Sequence, residues 1–204
     1  MFSRNTQSLE NSTAFLKIDH SIPHATYTIV KYMKTLLAAR ADDQELLIVC
    51  IGTDRSTGDA LGPLVGSRLQ TYNVKNAKVF GTLEEPVHAM NLSDTIQQIR
   101  TSYRNPYIIA VDACLGNLDN VGNITIGAGA IKPGAGVHKQ LPEIGDIYIT
   151  GTVNVGGFME YLVLQNTRLN IVMKMAATIA RSLSIALAHV NHDIQKPSEI
   201  VINN

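Results

Sequence analysis

Two stretches of the chain are apolar almost without a break: 46–51, Leu-Leu-Ile-Val-Cys-Ile, and 107–114, Tyr-Ile-Ile-Ala-Val-Asp-Ala-Cys. Both have strand length and β-branched content, so they predict strands covered on both faces, as at the centre of a parallel sheet. Other segments repeat at helical spacing. Residues 26–39 place Tyr27, Val30, Met33, Leu36 and Leu37 on one face, and 60–72 do so with Leu61, Leu64, Val65 and Leu69. A stripe of Leu169, Val172, Ala176, Ile179, Leu183 and Ala186 predicts a long final helix, with Asn166 or Thr167 as its cap. Pro86 is expected to open a helix running through Val87, Met90, Leu92, Ile96 and Ile99. Shorter strands are expected at 77–83, 121–131 and 146–153, and a short helix at 158–164.

The alternation of strands with helices implies a three-layer α/β/α sandwich around a mixed, mostly parallel sheet. Residues 115–120 are too few for a crossover helix, so the strand after them is expected to run antiparallel to the one before. The expected organisation is an N-terminal arm at 1–24, a single α/β domain at 25–190 and a polar tail at 191–204. At 204 residues and 22.2 kDa the chain suits one such domain. Lys plus Arg and Asp plus Glu each number 17, so no basic field points to direct nucleic-acid binding. Cys50 and Cys114 lack C-x-x-C spacing and fall in apolar runs, as buried free thiols of a reducing compartment do. No secretory signal is recognised and no segment is expected to cross a membrane, which together suggest the cytoplasm.

The chemistry-bearing residues interrupt this pattern. The first strand stops at Gly52, and a polar loop with glycines at 52 and 58 leads through Asp59 into the helix at 60–72. Asp112 is the one charge within the apolar run at 107–114, costly there unless it is paired or reaches the strand end. If the two crossovers lead outward and back, the first and third strands straddle a topological switch point and both aspartates face one crevice. Two carboxylates at one spot share protons unequally, so one can activate water while the other polarises a carbonyl. If they lie farther apart, a divalent cation can bridge them, with His138 in the loop at 132–138 as a nitrogen donor. Asp59 also suits a helix N-terminus on electrostatic grounds alone. Glu84, Glu85 and His88 are weaker candidates for the crevice. The loop at 52–62 has neither the Gly-Lys-Ser/Thr ending of a phosphate loop nor the G-x-G-x-x-G of a dinucleotide fold, and there is no G-x-S-x-G or H-E-x-x-H.

Three blocks carry a family resemblance: Thr57-Gly58-Asp59-Ala60-Leu61-Gly62-Pro63, Ala110-Val111-Asp112-Ala113 and Lys132-Pro133-Gly134-Ala135-Gly136-Val137. With them the chain resembles the YyaC-type sporulation proteins, relatives of the spore germination protease, which cleaves small acid-soluble spore proteins. More distantly it is similar to the hydrogenase-maturation endopeptidases. The resemblance implies a five-stranded sheet of order 2-1-3-5-4 with the fourth strand antiparallel. It implies an endopeptidase of the sporulating cell or spore, with Asp59 and Asp112 catalytic and Gly58, Gly134, Gly136 and Asn154 contacting the substrate. Asp59, Asp112 and His138 are the positions matched to metal ligands, for a divalent ion such as Zn, Ni or Mn. The partners implied are a protein or peptide substrate, small acid-soluble spore proteins among them, and a further copy of the chain in a homo-oligomer. The alternative is a non-catalytic sporulation protein that binds a peptide or protein on the same fold. The germination protease continues its Pro-Gly-x-Gly-Val motif with Gly and Asn, where this chain has His138 and Lys139.

Overall fold

The structure, a computed structural model, describes residues 15–134 and 141–190. In chain order the elements are β1 (Phe15–Asp19), α1 (Ala25–Leu37), β2 (Glu45–Cys50), α2 (Leu61–Thr71), β3 (Lys78–Phe80), α3 (Leu92–Ser102), β4 (Pro106–Gly116), β5 (Asn123–Ala128), β6 (Ile147–Val155), α4 (Glu160–Gln165) and α5 (Leu169–Val190). The strands form one sheet of order β1-β5-β6-β4-β2-β3. β3, β2, β4 and β6 run parallel, whereas β5 is antiparallel to both β6 and β1.

The strand β2 shows why a continuous apolar run was required. Leu46, Ile48 and Cys50 face a layer that includes α1, α2 and α5, while Leu47, Val49 and Ile51 face the layer of α3. From Leu46 onward both faces of the strand are therefore withdrawn from water, and only its first residue, Glu45, is polar and exposed. The stripe on α5 packs into the first layer through Val172, Ala176, Ile179, Leu183 and Ala186, all buried, but its first member Leu169 is 58% exposed. Residues Leu169–Ala188 have the length and mean hydropathy, 1.5, of a membrane span, contrary to expectation. Half of that window is buried among α1, α2 and the sheet, the environment of a core helix.

Three expectations are corrected. The sheet has six strands, because Phe15–Asp19 pairs antiparallel with β5 beyond the expected five; only Ile18 of this edge strand is buried, so it leaves little hydrophobic pattern to read. The strand after 115–120 runs opposite to β4, and with β6 between the two the remaining five strands keep the expected order 2-1-3-5-4. Pro86 opens no helix. Val87 instead bridges Ile51 in parallel, Asn91 Oδ1 accepts the His88 amide at 2.7 Å, and Asn91 Nδ2 donates to the Pro86 carbonyl at 3.0 Å, so α3 starts only at Leu92. Neither expected cap turns toward α5: Asn166 Nδ2 donates to Leu162 O at 2.8 Å and Thr167 Oγ1 to Val163 O at 2.9 Å, both closing the end of α4.

Candidate active site

The strand β2 ends one residue short of its neighbour's acidic residue. Its last ladder pair is Cys50 with Val111, the Ile51 amide donates to Val111 O at 2.7 Å, and Asp112 is the next residue along β4. The chain after β2 then turns away while β4 continues beside β6, so the carboxyl of Asp112 stands at the mouth opened between β2 and β4. This is the switch point: α2 leads from β2 outward to β3, and α3 leads back to β4.

Gly52 lets the loop fold back on itself. Its φ is +141°, and a Cβ there would stand 1.9 Å from the Asp59 carbonyl oxygen, so only glycine permits the approach. The loop is closed by Thr53 N–H donating to Asp59 O at 3.2 Å and by Ala60 N–H donating to Ser56 O at 3.0 Å. Its other side is tied to the segment before α3 through Gly52 N–H on Val87 O at 2.8 Å. These contacts carry Asp59 to the wall of a cavity of about 250 Å³ that Asp112 also lines.

Asp112 is 6% exposed. Burial pushes its carboxyl well above the ordinary carboxylate range and the charge of Asp59 pushes it further, against opposing hydrogen bonds from the amides of Ala113 and Gly134. Asp59 is half-buried; burial raises it too, while the Thr53 amide and nearby His88 pull it down. The pair thus divides its roles, with the deeper Asp112 the stronger holder of a proton and Asp59 the readier to ionise. His88 lies on the cavity wall, and its Nδ1 accepts the Met90 amide at 3.3 Å. The remaining wall combines the apolar Ile51, Met90, Leu141 and Leu164 with Tyr161 and the polar side chains of Thr53, Arg55 and Ser56.

The family described as "Protein of unknown function (DUF1256)" matches residues 17–182. The chain belongs to the DUF1256 family. It is 51% identical over 172 residues to the uncharacterized protein YyaC of Bacillus subtilis strain 168, covering 83% of this chain and 84% of that one. Its fold is similar to that of the [NiFe] hydrogenase maturation protease HycI from Thermococcus kodakarensis KOD1, with a TM-score of 0.54 and 16% identity over 77% of this chain and 99% of that one. The α/β fold with a mixed sheet is thereby one shared with that solved structure.

In this DUF1256 chain the remaining sequence candidates divide. Gly134 lines the cavity and bonds Asp112. Gly58 is instead buried against α4, where a Cβ would meet Leu164 at 2.8 Å and Thr167 at 2.9 Å, and its amide donates to Leu164 O. Asn154 lies outside the lining of this cavity: its Nδ2 donates to Val163 O at 3.3 Å and Thr167 Oγ1 at 3.2 Å, holding α4 to β6. Gly136 and His138 lie outside the described residues. Among the described residues no group of three His, Cys, Asp or Glu side chains converges, and His138, the third of the expected metal donors, lies outside them. Cys50 and Cys114 are free, the first buried and the second half-buried. Sequence reasoning undervalued His88 because a helix starting at Pro86 was expected to carry it. It overlooked Ser56, for which the chain offers no signal.

Proposed function

We propose that the chain is an endopeptidase acting in spore formation, with Asp59 and Asp112 as its catalytic pair. The observation that carries this reading is the meeting of the two carboxyls in one cavity at the switch point, with Asp112 biased toward its protonated form. Ionised Asp59 takes a proton from water as the oxygen attacks the scissile carbonyl carbon. Protonated Asp112 donates to the carbonyl oxygen as the π bond opens, giving a tetrahedral diol. The proton held by Asp59 then passes to the leaving nitrogen, the C–N bond breaks, and Asp112 recovers its proton as the carbonyl of the new carboxyl group re-forms. The peptidase-like fold and the resemblance to the germination protease support a protein substrate, with small acid-soluble spore proteins as the class to test.

A second reading, a peptide-binding protein without turnover, is favoured by exposed apolar side chains on the segment that supplies Tyr161 to the cavity: Phe158, at 87% exposure, Met159 and Leu162, which line a separate groove with Asn154 and Val163. One experiment separates the two. Purified full-length chain is incubated with small acid-soluble spore proteins, with and without chelator, beside Asp59→Asn and Asp112→Asn proteins. The expected result is cleavage that falls about 10²–10⁴-fold in either variant. Full-rate cleavage by Asp112→Asn protein would refute the paired mechanism. Binding without cleavage would favour the second reading, and loss of cleavage with chelator alone would move the chemistry to a bound cation.

A further inference from the structure

We infer that Ser56 is a substrate-positioning residue, whose hydroxyl hydrogen-bonds the backbone of a peptide seated in the cavity with an apolar side chain against Leu141, Leu164 and Met90. The inference rests on the reading of this cavity as a peptide site and deepens it by naming the class of residue bound.

Ser56 is 7% exposed and lines the cavity, yet among the described residues its Oγ has no hydrogen-bond partner. Buried hydroxyls are ordinarily satisfied, and neighbouring ones here are: Thr53 Oγ1 accepts the Arg55 amide at 3.3 Å, Thr82 Oγ1 accepts the Glu85 amide at 3.1 Å, and Thr167 Oγ1 donates to Val163 O. The backbone at Ser56 is committed, since its carbonyl accepts the Ala60 amide, so the residue is fixed three positions before Asp59 in the same closed loop. The other described buried side-chain polar atom without a partner, Arg40 Nε, lies outside the cavity lining. A molecule filling this space meets the unpartnered Ser56 hydroxyl, the two carboxyls, His88 and Arg55, together with an apolar wall that includes Leu141, Leu164 and Met90. A purely apolar ligand leaves Ser56 unsatisfied. A peptide unit carrying an apolar side chain satisfies both surfaces, and its backbone carbonyl accepts from the Ser56 hydroxyl.

The test uses the full chain and two N-acetylated, C-amidated fluorescent decapeptides, one centred on Ala-Leu-Leu-Ala and one on Ser-Asn-Ser-Asn. Binding is read by anisotropy in the Asp112→Asn background, which prevents turnover, and melting is read with and without Ser56→Ala in the otherwise unaltered chain. The Leu peptide should bind more tightly than the Ser-Asn peptide, and Ser56→Ala should weaken it about 5- to 10-fold. The melting temperature of the Ser56→Ala protein should hold or rise by about 2 °C, because an unsatisfied buried hydroxyl is removed. Unchanged binding in Ser56→Ala, equal binding of the two peptides, or no binding of either overturns the inference. So does a fall in melting temperature of more than about 4 °C, which assigns Ser56 to the fold. The two claims fail separately. Ser56-dependent binding with no cleavage of any protein removes the peptidase and leaves the peptide site, whereas acid-pair cleavage with an unchanged kcat/KM in Ser56→Ala removes the role of Ser56 alone.

Discussion

Replacing Gly52 by alanine tests whether the loop that presents Asp59 is held by a backbone approach that no side chain allows. The substitution carries two costs. The first is conformational: φ of +141° lies where L side chains are rarely found, a strain of about 1–3 kcal/mol. The second is steric, because the new Cβ stands 1.9 Å from the Asp59 carbonyl oxygen and must separate from it by about 1.5 Å to reach ordinary contact. Overpacking of that kind adds about 1–3 kcal/mol. Gly157 supplies a matched control, with φ of +140° and nothing within 4 Å of its would-be Cβ, so Gly157→Ala carries the first cost alone. Urea denaturation should show Gly52→Ala destabilised by about 3–5 kcal/mol, Gly157→Ala by about 1–3 kcal/mol, and similar slopes for both. In melting, the Gly52 variant should lose about 8–15 °C. The same displacement moves Asp59 relative to Asp112, so cleavage should fall about 10²-fold even at temperatures where the variant is folded. Destabilisation by Gly52→Ala within about 0.5 kcal/mol of that by Gly157→Ala would refute the steric argument.

Two further outcomes follow from the site. Asp112 holds its proton more tightly folded than unfolded, where its value is 3.8, so its contribution to stability is intact below that pH and is lost as pH rises through the elevated folded value. The Asp112→Asn protein escapes this loss, and its melting temperature should gain on the parent's progressively from about pH 4 upward, whereas a gap that stays constant to about pH 8 would refute a raised Asp112. Asn154→Ala removes the ties to Val163 and Thr167 and should cost about 1–2 kcal/mol in denaturation while leaving peptide binding within about twofold. Weakened binding at unchanged stability would instead return Asn154 to the substrate-contacting role expected from sequence.

The sequence by itself determined the central architecture, because patterns of burial are written into it. A run such as Leu47-Ile48-Val49 is uneconomical unless both faces are covered, so β2 and β4 could be placed at the middle of a sheet from composition alone. The stripe on α5 and the isolated charge of Asp112 were legible for the same reason: each is explained by what it must bury or be spared from burying. Where little is buried, little was legible. The edge strand β1 hides only Ile18 and could not be told from a polar arm, and the segment after Pro86 carries helical spacing that the Val87–Ile51 bridge and the Asn91 hydrogen bonds override. Only the tertiary structure decided how the site is furnished. That Asp59 shares a cavity with Asp112 depends on a loop closed by Gly52, Thr53 and Ala60, and that His88 and Ser56 join them depends on chain segments brought together across the end of β2. Gly58 sits beside Asp59 in sequence and Asn154 near the end of β6, yet packing commits both to α4. Local pattern records which side chains must leave water; which of them then meet is set by the order in which strands are laid side by side.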